Sequence, residues 1–212
     1  EHAFALTLSS IRNIVESNIS AKKNNWDYLK FIGRQLNNVT IGIIGYGRLG
    51  KLYSRYFRAF KSDIIVYDPY KKINSNYIKQ TNSIEYLYKK SDVISIHVHL
   101  TKNTNKMINK KSLIYMKRNV LIVNTSRGEI VNEKDLISFL KKNKKAKYAT
   151  DVLSNEISHT ENHPIIKYSN KSNQILVTPH IGGMTKEGQE IAFNHAAKKL
   201  NSFFKKKNNY DK

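Results

Sequence analysis

Three glycines in the run Gly45-Tyr46-Gly47-Arg48-Leu49-Gly50 follow a short apolar stretch and lead into a helix-period segment. In that setting Gly45 permits a tight turn, Gly47 lets backbone approach a pyrophosphate, and Gly50 lets helix and strand pack closely. Free amides at the start of the helix would meet the anion at the positive end of the helix dipole. Asp68 ends the run Ile64-Ile65-Val66-Tyr67, 23 residues beyond Gly45. A carboxylate there accepts hydrogen bonds from ribose hydroxyls and repels a 2′-phosphate, which favours NAD over NADP. Lys71 and Lys72 leave room for some NADP tolerance, and a turn before Pro69 is the plain alternative for Asp68.

Three further residues would turn a binding fold into an enzyme. Arg127, in Asn124-Thr125-Ser126-Arg127-Gly128, follows an apolar run and would stand at the carboxyl end of a sheet, where open α/β folds bind ligands. Its guanidinium can hold a substrate carboxylate in a bidentate pair and polarise the neighbouring carbonyl. His180 lies in Thr178-Pro179-His180-Ile181-Gly182-Gly183, and Glu156 follows the preceding strand. A carboxylate beside an imidazole orients the ring and favours its protonated form, so the pair can deliver a proton to a carbonyl oxygen as hydride reaches the carbon. His97 and His99 alternate onto one strand face, a spacing open to a metal, but a strand-end role outweighs it. The same holds for His159, Glu161 and His163 in the long irregular stretch 154–173, where solvated loop histidines are the expectation.

These residues need a scaffold. Short β-branched runs at Thr40–Ile44, Asp63–Tyr67, Val93–Val98, Val120–Val123, Tyr148–Val152 and Gln174–Thr178 alternate with helix-period segments. The helices include Arg48–Phe60, with Leu49, Leu52, Tyr53, Tyr56, Phe57 and Phe60 on one face, then Lys110–Met116 and Glu133–Lys142. Nearly continuous apolar strands alternating with helices predict a parallel sheet covered on both faces. The expected fold is a doubly wound α/β Rossmann domain in three α/β/α layers, spanning residues 1–212. A lead-in helix at 3–15 and a connector anchored by Trp26, Phe31 and Leu36 occupy residues 1–38, and an amphipathic helix at about Lys186–Phe204 precedes a frayed basic tail, 205–212.

Composition narrows the function classes. With 40% hydrophobic residues, 13 Tyr and 8 Phe, the chain is far from a disordered composition. It shows neither a long apolar span nor a secretory signal, and the expected location is the cytoplasm. Zero cysteines exclude disulfides, zinc thiolates, iron–sulfur clusters and thiol nucleophiles. The net charge of +21 raises polyanion binding, most testably at Lys141–Lys147 and Lys205–Lys207. However, only 7 of the 37 basic residues are Arg, they are scattered among 24 Asn, and no nucleic-acid module accompanies them, so a solvated surface is favoured.

Taken together, the motifs resemble the NAD-binding domain of the D-isomer-specific 2-hydroxyacid dehydrogenases, particularly the 3-phosphoglycerate dehydrogenase and glyoxylate/hydroxypyruvate reductase branch. The resemblance runs from Glu1-His2-Ala3, through Gly33-Arg34-Gln35-Leu36, to about Phe204. It implies that Arg127 binds the substrate carboxylate, that Glu156 and His180 form the acid/base pair, and that Asp151 holds the nicotinamide carboxamide. It also implies that Gly45, Gly47, Arg48, Leu49 and Gly50 take the pyrophosphate and Asp68 the ribose, with a small 2-hydroxy or 2-oxo acid as substrate and no metal. A homodimer is implied, with neither a specific nucleic acid nor a membrane as partner. The chain departs from the family pattern at His99 and Ile157, where prolines are usual, and in the 23 residues between Glu156 and His180. The residues that form most of the family's substrate domain have no counterpart here. With a first residue of Glu1, an excised or truncated chain that binds NAD without turning over alone is expected. The alternative is a non-catalytic, NAD-responsive binding or assembly module.

Overall fold

The computed structural model describes residues 1–156 and 162–207. They form two compact units, Glu1–Pro179 and His180–Lys212.

The first unit is built on seven strands: β1 (Thr40–Ile44), β2 (Asp63–Tyr67), β3 (Lys79–Thr81), β4 (Val93–Ile96), β5 (Leu121–Asn124), β6 (Lys147–Thr150) and β7 (Ile175–Val177). They lie in the order β3-β2-β1-β4-β5-β6-β7, and every pair is parallel. The strand order reverses direction between β1 and β4, which is where a doubly wound sheet opens its ligand crevice. Ile41 and Ile43 point to one face and Ile44 to the other, and all three are essentially solvent-free, as a sheet covered on both faces demands.

One face carries α1 (His2–Ile11) and α3 (Arg48–Ala59), whose Leu6, Tyr53 and Phe57 pack on Ile41, Ile43 and Val66. The other carries α4 (Ile84–Lys90), α5 (Lys110–Leu113), α6 (Glu133–Lys142) and α7 (Pro164–Ser169), contributing Leu87, Leu113, Leu136, Leu140 and Ile165. The helix starts follow local chemistry. Ser83, Asn109 and Asn132 cap α4, α5 and α6 with their side chains, and α6 has Glu133 and Asp135 in its first turn and Lys141 and Lys142 in its last. At the amino edge of the sheet Asp92 accepts from the Thr40 amide and pairs with Arg34 and Lys117. Partial burial opposes its charge, yet these partners hold its carboxyl below the usual range.

The structure amends several expectations. The lead-in helix is broken at Asn13, whose φ of +54° turns the chain before a second helix, α2 (Ile14–Lys22). Trp26 is no anchor, being 82% exposed, whereas Leu36 is buried. On α3, Tyr53 and Phe57 enter the core, but Leu49, Leu52 and Phe60 stay exposed because the stripe of apolar residues is wider than the sheet contact. The strand β3 was not expected from its polar Lys79-Gln80-Thr81 sequence.

In the second unit α8 runs from Lys186 to Lys207, with Thr185 Oγ1 accepting from the Gly188 amide at its start. This is longer than the expected Lys186–Phe204, and the tail beyond it lies outside the described residues.

Candidate active site

The glycine loop joins β1 to α3. Gly45 has φ +91°, and a Cβ there would lie 2.7 Å from the His97 carbonyl oxygen. A Cβ on Gly50 would lie 2.2 Å from the Gly45 carbonyl oxygen, so the helix starts directly against the turn. At Gly47, the N-cap of α3, a Cβ would meet nothing within 4 Å. α3 thus starts beside unfilled space at Gly47, and the amides of its first turn have no intrahelical carbonyl to take them. Such an arrangement accepts an anion.

Asp68 is tied to this loop. Its Oδ2 accepts from the Tyr46 amide at 2.8 Å and its Oδ1 from the Tyr70 amide at 3.0 Å. Gly45 donates its amide to the Tyr67 carbonyl at 2.9 Å, so the ends of β1 and β2 are laced together. Each carboxylate oxygen keeps capacity for another donor, such as a hydroxyl.

Arg127 stands on the turn after β5. Asn124 Nδ2 donates to the Arg127 carbonyl at 2.9 Å, Asn124 Oδ1 accepts from the Ser126 amide at 3.0 Å, and Ser126 Oγ donates to the Ile96 carbonyl at 2.8 Å. The turn is thus fixed to the end of β4, and the Arg127 side chain is exposed. A Cβ on Gly128 would lie 2.0 Å from the Leu153 carbonyl carbon, so only glycine lets the turn rest on the loop after β6. In that loop Glu156 Oε1 accepts from the Leu153 amide at 2.9 Å. Arg127, Asp151 and Glu156 therefore share the carboxyl ends of neighbouring strands.

Asp151 is 2% exposed, and its Oδ1 lies 3.1 Å from His2 Nε2 and accepts from Thr178 Oγ1 at 2.5 Å. The expected carboxamide ligand is thus joined to the first turn of α1 and to the end of β7, a connection the sequence did not reveal.

A second unforeseen cluster supports the Glu156 loop. Buried Glu133 accepts from the Ser154 amide at 3.1 Å and from Ser154 Oγ at 2.8 Å, and its Oε2 lies 3.1 Å from His163 Nε2. His163 Nδ1 accepts from the Ile165 amide at 3.3 Å, which places the ring proton on Nε2, facing Glu133. His163 is therefore caged rather than solvated. His159, Glu161 and Ile157 lie outside the described residues. Among the described residues no group of three or more His, Cys, Asp or Glu could hold a metal.

His97 and His99 differ in setting. His97 sits under the site with Nε2 2.9 Å from Ser95 Oγ and its ring 5.0 Å from that of Tyr53, whereas His99 is exposed. Burial pushes His97 down to about 4.

His180 opens the second unit. It is exposed and has φ +55°, a left-handed conformation that is uncommon for a residue with a β-carbon and collects at functional positions.

Comparison with known proteins adds to this geometry. Residues 4–182 match the family model described as D-isomer specific 2-hydroxyacid dehydrogenase, NAD binding domain. The chain is 34% identical over 203 residues to D-3-phosphoglycerate dehydrogenase of Methanocaldococcus jannaschii, covering 94% of this chain and 38% of that protein. It is 36% identical over 216 residues to glyoxylate reductase of Thermococcus litoralis, covering 96% of this chain and 62% of that one. Among solved structures, D-lactate dehydrogenase from Aquifex aeolicus complexed with NAD and lactic acid superposes with a TM-score of 0.89 at 28% identity, covering 96% of this chain and 65% of that chain. The chain thus spans between about two fifths and two thirds of the length of these relatives.

Proposed function

The chain belongs to the D-isomer-specific 2-hydroxyacid dehydrogenase family, matching its NAD-binding domain, and on that premise we propose that it binds NAD(H) and serves an oxidoreductase acting on a D-2-hydroxy acid or its 2-oxo acid. The observation that carries the proposal is the glycine turn at the start of α3, with unfilled space at Gly47 and the Tyr46 amide bonded to Asp68. In this assignment the first turn of α3 binds the pyrophosphate through Gly45, Gly47, Arg48, Leu49 and Gly50, Asp68 takes the ribose hydroxyls, and Asp151 holds the carboxamide. When bound, the nicotinamide supplies or accepts the hydride.

The remaining chemistry falls to side chains. Arg127 holds the substrate carboxylate and draws electron density from the adjacent carbonyl. His180 gives a proton to the carbonyl oxygen in reduction and takes it back in oxidation. Glu156 favours the imidazolium and orients the ring. Substrates of the phosphoglycerate or the hydroxypyruvate and glyoxylate type fit the relatives' activities. The protein is assigned to the cytoplasm, and a homodimer is its proposed state, supported by exposed Ile14, Ile19, Trp26, Leu29 and Ile32 on its amino-terminal segment.

Turnover tests the assignment. Protein carrying this chain should oxidise NADH with hydroxypyruvate or glyoxylate, or reduce NAD with D-3-phosphoglycerate. His180→Ala should lower kcat by about 10²–10⁴ while NADH affinity stays unchanged. Arg127→Ala should raise KM as well as lower kcat. A His180→Ala protein with undiminished kcat would remove His180 from the chemistry, and inactivity on all three acids would remove the substrate class.

A further inference from the structure

α1 packs against β5 and β6, and side chains fasten it at both ends of β6. Beside the start of the strand, Lys147 Nζ donates to the Ser10 carbonyl at 3.0 Å and to Asn13 Oδ1 at 2.6 Å. Just past its end, Asp151 Oδ1 lies 3.1 Å from His2 Nε2. The helix rises about 12 Å from His2 to Ser10 and the extended chain about 13 Å from Lys147 to Asp151, so both ties fit one register of helix on strand. Midway, Thr7 Oγ1 lies 2.7 Å from the Tyr53 hydroxyl and joins α1 to α3.

The tie at His2 has a polarity that the other lacks. Thr178 Oγ1 donates to Asp151 Oδ1 at 2.5 Å and also lies 2.9 Å from His2 Nε2. Having given its one proton to the carboxylate, the Thr178 hydroxyl can only accept from the imidazole. Both oxygens that face Nε2 are therefore acceptors, and Nε2 carries the ring proton. Asp151 Oδ1 thereby receives an O–H and an N–H, and these two donors fix the direction in which the buried carboxylate points. The first turn of α1, the residue after β6 and the residue after β7 meet in one hydrogen-bonded triangle.

We propose that His2 is a positioning residue for the nicotinamide end of the cofactor, acting through Asp151 without touching the cofactor itself. The proposal rests on the NAD(H) assignment, in which Asp151 holds the carboxamide. That carboxamide is the polar handle of the ring, so the direction in which Asp151 presents its oxygens decides how the ring sits. Without the imidazole, Asp151 Oδ1 loses one of its two donors and the carboxylate turns more freely. The pyrophosphate and ribose ends rest on α3 and on Asp68 after β2, and neither depends on His2.

Calorimetric titration of the full chain with NADH and with ADP-ribose, which lacks the nicotinamide ring, tests the proposal in wild type, His2→Ala and His2→Gln. His2→Ala should weaken NADH about tenfold and ADP-ribose less than about twofold. His2→Gln, whose side-chain amide can donate in place of Nε2, should bring NADH back to within about threefold of wild type. Lys147→Met loosens the other end of α1 and should leave the ratio of NADH to ADP-ribose affinity as in wild type. A parallel loss of both ligands in His2→Ala, or the same change of ratio in Lys147→Met, would mean that His2 only holds the helix in place, and would overturn the proposal. No recovery in His2→Gln would overturn it as well. Wild type that binds neither ligand brings down the NAD(H) assignment and this proposal with it, whereas NADH binding that is equal in wild type and His2→Ala brings down this proposal alone.

Discussion

At the scale of single residues, His97 gives the clearest pH prediction. Its folded value of about 4 lies below the ordinary histidine value, so between them the unfolded chain binds the extra proton. Stability should therefore be highest above about pH 6.5 and fall as pH drops towards 4, by up to about 3 kcal/mol in total. Urea unfolding at stepped pH should show this decline, and His97→Leu should flatten it. An unchanged slope in the variant would mean that other groups set the acid limb. Asp92 acts lower on the scale. Because its carboxyl is held below its usual range, its contribution is present above about pH 4 and is lost only as pH falls further, so its effect is separable from that of His97. Residues of these kinds differ in how far the sequence reveals them. The spacing of Gly45, Gly47, Gly50 and Asp68 is local, and it announced the loop that the structure contains. The His2–Asp151 contact joins positions 149 apart, and its two partners meet only once α1 lies against the sheet.

At the scale of elements, the turn after β5 and the loop after β6 act as one piece. Glu133 fastens Ser154 and His163, and Gly128 allows the two backbones to touch. Glu133→Ala removes a buried carboxylate from two hydrogen bonds and one histidine, and should cost about 2–4 kcal/mol of stability in denaturant unfolding. Hydrogen exchange at the Ser154 amide should accelerate in the same variant; a protected amide there would show that another group holds the loop. Gly128→Ala must push the two backbones apart, and a displacement of about 1 Å at Arg127 should lower turnover about 10²-fold with NADH affinity retained. Equal turnover would show that the contact does not position Arg127. Elements with a strong period were legible: Glu133–Lys142 has the expected bounds, and β1 and β2 do as well. Strand β3 was not legible, because Lys79-Gln80-Thr81 has no apolar signal and its strand state comes from pairing with Ile65, Val66 and Tyr67 of β2. Nor was the break at Asn13 visible, since a single left-handed residue interrupts a helix without disturbing its apolar period.

At the scale of the whole molecule, the doubly wound topology was written in the alternation of apolar strands and amphipathic helices, which leaves a buried parallel sheet as the economical packing. Surface chemistry was less legible. Lys51, Arg55, Lys71 and Lys72 come from a helix and a loop and converge on one pocket only through the fold, so in a chain of net charge +21 they read as four lysines and arginines among 37. The exposed apolar residues of the amino-terminal segment carry the proposed homodimer. Sedimentation velocity should show a species of twice the 24.6 kDa chain mass, and Ile19→Lys should shift it towards the monomer with NADH binding retained. A monomer at all concentrations would reject that assembly. The cofactor site underlies every other assignment, and calorimetric titration of NADH into this chain and into Asp68→Ala probes it without any substrate. The expected dissociation constant is on the order of micromolar for the chain, with a loss of about tenfold in the variant. No NADH binding up to about millimolar, equivalent to roughly 4 kcal/mol or less, would contradict it.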